Sequence, residues 1–347
     1  MAEDDKHIGF ALFEKKLGKS LVVDDRYSVL DFRPAGNYLH ILTDSVSHAA
    51  RISKLYQKET PLFKIKVILL PDNSVGKTTK GICHVGVAPV RKDPTSASEQ
   101  ITQVLFGETF NTLQVKDDWA RVRLDADGYI GWVSTGQVTL FQEDDFYEFQ
   151  TLPKMSVREK VLGLFQRPGG NSPVLREAVY GTHLSIAGSR GKFLEVRLPD
   201  GATAYAVKSG VNGSAAPRPF SLKGLFETAF GFQGISYVWG GRSVKGFDCS
   251  GFVQSVFRLN GIELPRDAGT QFWSGIQLGK EIGNLKAGDL LFFSSNGDKI
   301  THVALYLGKK KQFIHSSGYV RVNSFDPDRR DFSKKLLSTF VGASRVI

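Results

Sequence analysis

Apolar residues at 252, 253, 256, 257 and 259 repeat with a helical period over Cys249–Asn260, and Gly261 supplies a stop. A second helical stretch is predicted over about Ser221–Phe230. Downstream the period changes. Asp289-Leu-Leu-Phe-Phe, His302-Val-Ala-Leu-Tyr-Leu307, Gln312-Phe-Ile-His315 and Phe340-Val-Gly-Ala-Ser-Arg-Val are short apolar or alternating runs that read as strands. Helices followed by a block of strands predict an α+β domain over residues 217–347.

The earlier chain is patterned differently. Residues 1–80 contain the strand candidates Tyr27-Ser-Val-Leu-Asp-Phe and Tyr38-Leu-His-Ile-Leu, a helical stretch near Ser45–Tyr56 and the run Phe63–Leu70, which predicts a small α+β cap. Residues 81–145 and 146–216 read as two copies of one pattern. In the first, Gly107-Glu-Thr-Phe leads to Trp119–Leu124 and then Asp127-Gly-Tyr-Ile-Gly-Trp-Val133. In the second, Gly181-Thr-His-Leu leads to Phe193–Leu198 and Asp200–Val207. Runs of short strands with regular turn signals predict two small β-barrels. Gly210–Pro219 reads as a linker by composition.

Composition fits a multi-domain chain of 347 residues, with 41% hydrophobic and 23% charged residues. The 36 glycines and 25 phenylalanines agree with turn-rich, aromatic-packed β structure. Two cysteines are too few for a disulfide framework. The net charge of +10 is scattered, with its densest cluster at Lys309–Lys311, a predicted hairpin turn. No basic stripe is interleaved with stacking aromatics, which argues against nucleic acid and leaves a solvated surface or an acidic substrate. No window approaches the roughly 20 apolar residues that span a bilayer. With its polar, acidic start the chain reads as cytoplasmic, whereas an exported protein after leader removal would read as periplasmic or secreted. A monomer is expected.

Cys249, between Asp248 and Ser250 where a helix begins, is the candidate nucleophile. Unpaired N–H groups and the dipole at that end are expected to lower its pKa and to receive an oxyanion. His302 is the candidate general base and His315, one hairpin on, the residue that orients it. No further ligand sits at metal spacing around them, so neither a metal nor another cofactor is expected. Cys83-His84 reads as packing in a β-rich run. Leu70-Pro-Asp-Asn-Ser-Val-Gly-Lys-Thr-Thr mimics a phosphate-binding loop, but Pro71 stands where its first glycine belongs, and a turn is predicted.

These residues stand in a longer series: Tyr237-Val-Trp-Gly-Gly, Phe247-Asp-Cys-Ser-Gly, Pro265-Arg266-Asp267, Gly288-Asp-Leu-Leu-Phe-Phe293, His302-Val and Phe313-Ile-His-Ser-Ser317. The series resembles the NlpC/P60 family of peptidoglycan peptidases, which implies a papain-like catalytic fold. The repeat, above all Gly128-Tyr-Ile-Gly-Trp132, resembles bacterial SH3-like domains. Together they resemble γ-D-glutamyl-L-diamino acid endopeptidases, the dipeptidyl-peptidase VI type, which cut murein stem peptides carrying a free N-terminal L-Ala. That resemblance implies that Tyr237, Asp248, Ser250 and Asp267 bind substrate. It also implies that Tyr129 and an acid, Glu99 or alternatively Glu108, close the amine pocket. The expected role is recycling of freed murein peptides. The alternatives are an exported wall hydrolase using its SH3-like domains as wall-binding modules, and a binding module with an inert site.

Overall fold

A computed structural model describes the chain apart from Met1, Ala2, Val22, residues 60–62, Gly170, Ser214, residues 216–218 and Asp298. The described residues fall into two compact units: Met1–Ile82 with Arg91–Glu99 and Thr109–Glu148, and Cys83–Val90 with Gln100–Glu108 and Phe149–Ile347.

The first unit opens with the helix Glu3–Ser20, an element the hydrophobic pattern had not suggested; its Phe10, Phe13 and Leu17 are buried. Strands Leu30–Ala35 and Tyr38–Thr43 form a hairpin, and the helix Val46–Glu59 crosses to Lys64–Leu69, which runs parallel to the second strand. That crossover is a βαβ step. Val29, Leu42 and Leu70 share a core with Leu113 and Ile130 of the strands Thr109–Lys116 and Ile130–Ser134, so the cap and the adjoining barrel strands are one body. The expected turn after Leu70 is present: Asp72 caps the single 3₁₀ turn Asn73–Val75.

The second unit contains a seven-stranded antiparallel barrel sheet, in the order 174–179, 161–165, 203–207, 193–197, 183–190, 154–157 and 211–212. Phe106 belongs to its core, beside Leu164, Leu184 and Val196. Part of the expected linker is thus strand, since Val211 pairs with Val157; Ser214 and residues 216–218 lie outside the described residues.

The catalytic-type domain follows in the same unit. Ser221 caps the helix Leu222–Gly231, and Asp248 caps the helix Cys249–Arg258. The latter buries Phe252, Val253, Val256 and Phe257 against Leu290, Phe292, Val303, Leu305 and Ile314 of the sheet. That sheet is six-stranded and antiparallel, ordered 276–279, 340–345, 290–293, 302–306, 312–317 and 319–324. Its other face packs Phe293, Phe313, Phe325 and Phe340. Helix on sheet in this order is the α+β architecture expected from the pattern.

Candidate active site

Two glycines bring the motif segments together. A Cβ on Gly251 would lie 2.1 Å from the Gly241 carbonyl oxygen, and one on Gly241 would lie 2.4 Å from that of Gly246. Only residues without side chains permit this approach. It lets the Asp248 N–H donate to the Gly241 carbonyl at 2.9 Å and fixes the start of the helix at Cys249.

Asp248 is buried, and both oxygens of its carboxylate accept hydrogen bonds. Oδ1 accepts from the Gly251 N–H at 2.6 Å, from the Ser250 hydroxyl at 3.3 Å and from Arg266 Nη1 at 3.1 Å; Oδ2 accepts from Arg266 Nη2 at 2.5 Å. Arg266 Nη1 also donates to Ser250 Oγ at 3.1 Å, and its Nε donates to Thr102 at 2.9 Å. Gln271 donates to the Ser250 carbonyl at 3.1 Å. The nucleophile therefore stands on a buried ion pair, and the arginine of that pair was visible in the sequence only as part of a motif.

Cys249 is 9% exposed. Burial, then the Asp248 charge, push its thiol up to about 12, while the N–H groups of Val303 and Ser250 and the Arg266 charge act the other way. This corrects the expected lowering: loss of hydration outweighs the helix end. The Val303 N–H also places the sulfur beside the residue that follows His302. Tyr237 is half-buried, and its hydroxyl is raised by burial and by the neighbouring Cys249 and Asp248 charges.

The two histidines lie on adjacent strands, with Leu305 opposite Ile314, so residues 302 and 315 are diagonal neighbours on one face. His302 Nε2 and His315 Nδ1 are 2.7 Å apart, in an edge-to-face arrangement. His315 is fully buried, and its Nε2 lies 2.9 Å from Asn323 Oδ1. Asn323 was missed; its sign was a polar residue inside the otherwise alternating strand Tyr319–Ser324. Burial, then His315 and Arg321, hold His302 down to about 3. Burial, partly opposed by the Asn323 hydrogen bond and reinforced by Arg321, holds His315 down to about 4. At neutral pH the thiol and the imidazole are thus both uncharged.

Folded-state pKa values below the unfolded 6.5 fix the pH dependence of stability. The unfolded chain takes up protons first as pH falls. Stability contributed by these rings is therefore complete above about pH 6.5 and lost as pH falls through about 4 and then about 3. Calorimetry from pH 7 to 4.5 is expected to show a falling unfolding midpoint, with a shallower slope in His315→Gln. Equal slopes would remove His315 as a source of it.

The remaining candidate residues are distributed. Asp267 is half-buried ahead of the helix Ala268–Phe272, whose N-terminus its side chain does not cap. Glu108 is not an amine receptor. It accepts from Arg242 at 2.7 Å and 3.2 Å, lies 3.7 Å from Arg258 and accepts the Leu105 N–H at 2.9 Å; the two arginines hold its carboxyl low against its burial. Glu99 and Tyr129 belong to the other unit, where Glu99 is exposed and Tyr129 packs edge-on against Tyr27 at 5.5 Å. Cys83 is buried with its thiol donating to the Val85 carbonyl at 3.2 Å, as packing requires. Among the described residues there is no group of three or more His, Cys, Asp or Glu able to hold a metal, and no helix is long and apolar enough to cross a membrane.

Comparison with known proteins identifies this arrangement. The NlpC/P60 family matches residues 234–341, and the bacterial dipeptidyl-peptidase SH3 domain matches residues 90–138. A gamma-D-glutamyl-L-lysine dipeptidyl-peptidase of Bacillus cereus is 32% identical over 64% of this chain and 68% of its own length. This chain belongs to the NlpC/P60 family. A gamma-D-glutamyl-L-lysine dipeptidyl-peptidase of Bacillus subtilis is also 32% identical, over 62% of this chain and 71% of its own. The crystal structure of an NlpC/P60 family protein from Bacillus cereus superposes with a TM-score of 0.66 at 24% identity, covering 77% of this chain and 99% of that one, and supports the fold. The match to an NlpC/P60 family and an SH3 domain agrees with the expectation drawn from the motifs.

Proposed function

We propose that this member of the NlpC/P60 family hydrolyses the bond between γ-D-Glu and an L-diamino acid in murein peptides with a free N-terminal L-Ala. The observation that carries the reading is the buried thiol at a helix start beside the strand that bears the 2.7 Å His302–His315 contact. Cys249 attacks the γ-carbonyl carbon while His302 takes the thiol proton. First-turn N–H groups of the helix donate to the oxyanion. The tetrahedral intermediate collapses to a thioester, the diamino acid amine leaves with the proton from His302, and water, deprotonated by His302, releases L-Ala-γ-D-Glu. The substrate's ammonium is assigned to the Tyr237 hydroxyl and to Asp248 Oδ2, which accepts a single hydrogen bond. Both Bacillus relatives are gamma-D-glutamyl-L-lysine dipeptidyl-peptidases by name, which supports this bond. A free-amine requirement suits peptides already released from the wall, so the reading includes recycling in the cytoplasm.

Incubation of the protein with L-Ala-γ-D-Glu-L-Lys, its diaminopimelate counterpart and their N-acetylated forms, read by mass spectrometry, tests this. Release of L-Ala-γ-D-Glu only from free-amine peptides is expected. Equal cleavage of acetylated peptides would remove the amine requirement, and release of fragments from intact cross-linked sacculi would favour an exported wall hydrolase.

A further inference from the structure

We infer that Asn323 is a positioning residue that decides which nitrogen of His302 is free to take the proton; this rests on the reading of Cys249 and His302 given above. The deduction starts at the far end of the chain of hydrogen bonds. The Asp331 carbonyl can only accept, and Asn323 Nδ2 donates to it at 2.9 Å. This turns Asn323 Oδ1 the other way, 2.9 Å from His315 Nε2. An amide oxygen only accepts, so His315 carries its hydrogen on Nε2. In a neutral ring Nδ1 is then bare, and it accepts from His302 Nε2 at 2.7 Å. His302 therefore holds its hydrogen on Nε2, and Nδ1, turned away from His315, is the bare nitrogen.

His315 cannot impose this direction by itself. With its hydrogen on Nδ1 it would make the same contact with His302 as a donor. The His302 hydrogen would then sit on Nδ1, where it blocks proton acceptance. The anchor at Asp331 is well held, because its own carboxylate accepts from Arg329 at 2.7 Å and 3.0 Å and from Gln312 at 2.7 Å. The charged and titratable groups around His315 are His302 on one neighbouring strand, Arg321 opposite it on the other, and Asp331 beyond Asn323. Burial and Arg321 keep His315 uncharged, the condition for the relay to have a direction.

Ring ¹⁵N spectra of histidine-labelled protein, assigned by loss of signals in His302→Gln and His315→Gln, test the inference without substrate. In the wild type both rings are expected to carry hydrogen on Nε2. In Asn323→Ala the acceptor is lost, His302 should show both tautomers, and kcat should fall about tenfold to a hundredfold with KM little changed, by analogy with the hydrogen-bond partners that orient metal-binding histidines. Asn323→Asp keeps the acceptor but adds a charge that favours protonated His315. That ring would donate to His302 and force its hydrogen onto Nδ1, so the acid limb of the kcat–pH profile should move up and activity should return as pH rises. A wild-type His302 with hydrogen on Nδ1 overturns the inference, as do wild-type tautomers in Asn323→Ala. Should Asn323→Ala fail to fold, an unmoved acid limb in Asn323→Asp overturns it. A wrong substrate assignment would leave the tautomers as described and show only as absent hydrolysis, which separates the two failures.

Discussion

Cys249→Ala is expected to leave a folded protein that hydrolyses murein peptides at least about 10⁴-fold more slowly, the scale seen when a nucleophile is removed from a catalytic group that acts as a unit. The substitution deletes one sulfur at a helix start whose geometry is set by Asp248, Gly241 and Gly251 rather than by the thiol. Its effect on stability should be near about 1 kcal/mol, typical of a mild change. His302→Ala should lose a similar factor, because an undissociated thiol at the wild-type pKa of about 12 is a poor nucleophile without a partner to take its proton. The double variant should be no slower than either single one, since neither group works alone. Product formation by mass spectrometry and thermal unfolding of the same samples check both parts. Hydrolysis within tenfold of wild type by folded Cys249→Ala would rule out the covalent route.

Arg266→Met should lower stability by about 3–5 kcal/mol, the usual consequence of leaving one member of a buried ion pair without its partner. Arg266 is 1% exposed and replaces water for four oxygens, two on Asp248 and one each on Ser250 and Thr102. The same change should suppress turnover beyond what unfolding explains. Asp248 raises the Cys249 pKa and Arg266 lowers it, so an uncompensated carboxylate makes the thiol harder to ionise. Methionine keeps much of the volume, which isolates charge from packing. Adding Asp248→Asn should restore a large part of the stability, as neutral residues no longer require a counter-charge. Denaturant unfolding of the single and double variants measures the coupling; additive effects would mean that the pair does not act as one.

Much of the site was legible because its chemistry is local. Cys249 follows a capping acid and opens a helical period, and His302 and His315 fall in separate apolar runs, so their residue types and places were readable. The helix Glu3–Ser20 was not, because its apolar stretch Phe10-Ala-Leu-Phe13 is short and flanked by charged runs, Glu3-Asp-Asp-Lys6 before it and Glu14-Lys-Lys16 ahead of Leu17. The direction of the thiol shift was also beyond reach: it depends on how completely the fold removes water, and a sequence exposes the helix end but not the burial. Arg266 and Asn323 were passed over for a related reason. Each is defined by a partner distant along the chain, Arg266 by Asp248 and Thr102, Asn323 by His315 and Asp331. Glu108 shows the opposite error, where an acid near a motif suggested a receptor but two arginines already occupy it.

The segment Gln100–Glu108 bears on how such a protein can be inherited. Its Phe106 fills the second barrel, while Thr102, Gln103 and Glu108 hold the buried Arg266 and Arg242 of the catalytic-type domain. A recombination event that joined a new partner at the apparent border near residue 217 would take Gln103 and Glu108 from the Arg242 guanidinium and Thr102 from that of Arg266. Exchange of modules in this lineage must therefore carry that short strand along, so the heritable unit is larger than the catalytic domain that sequence comparison outlines.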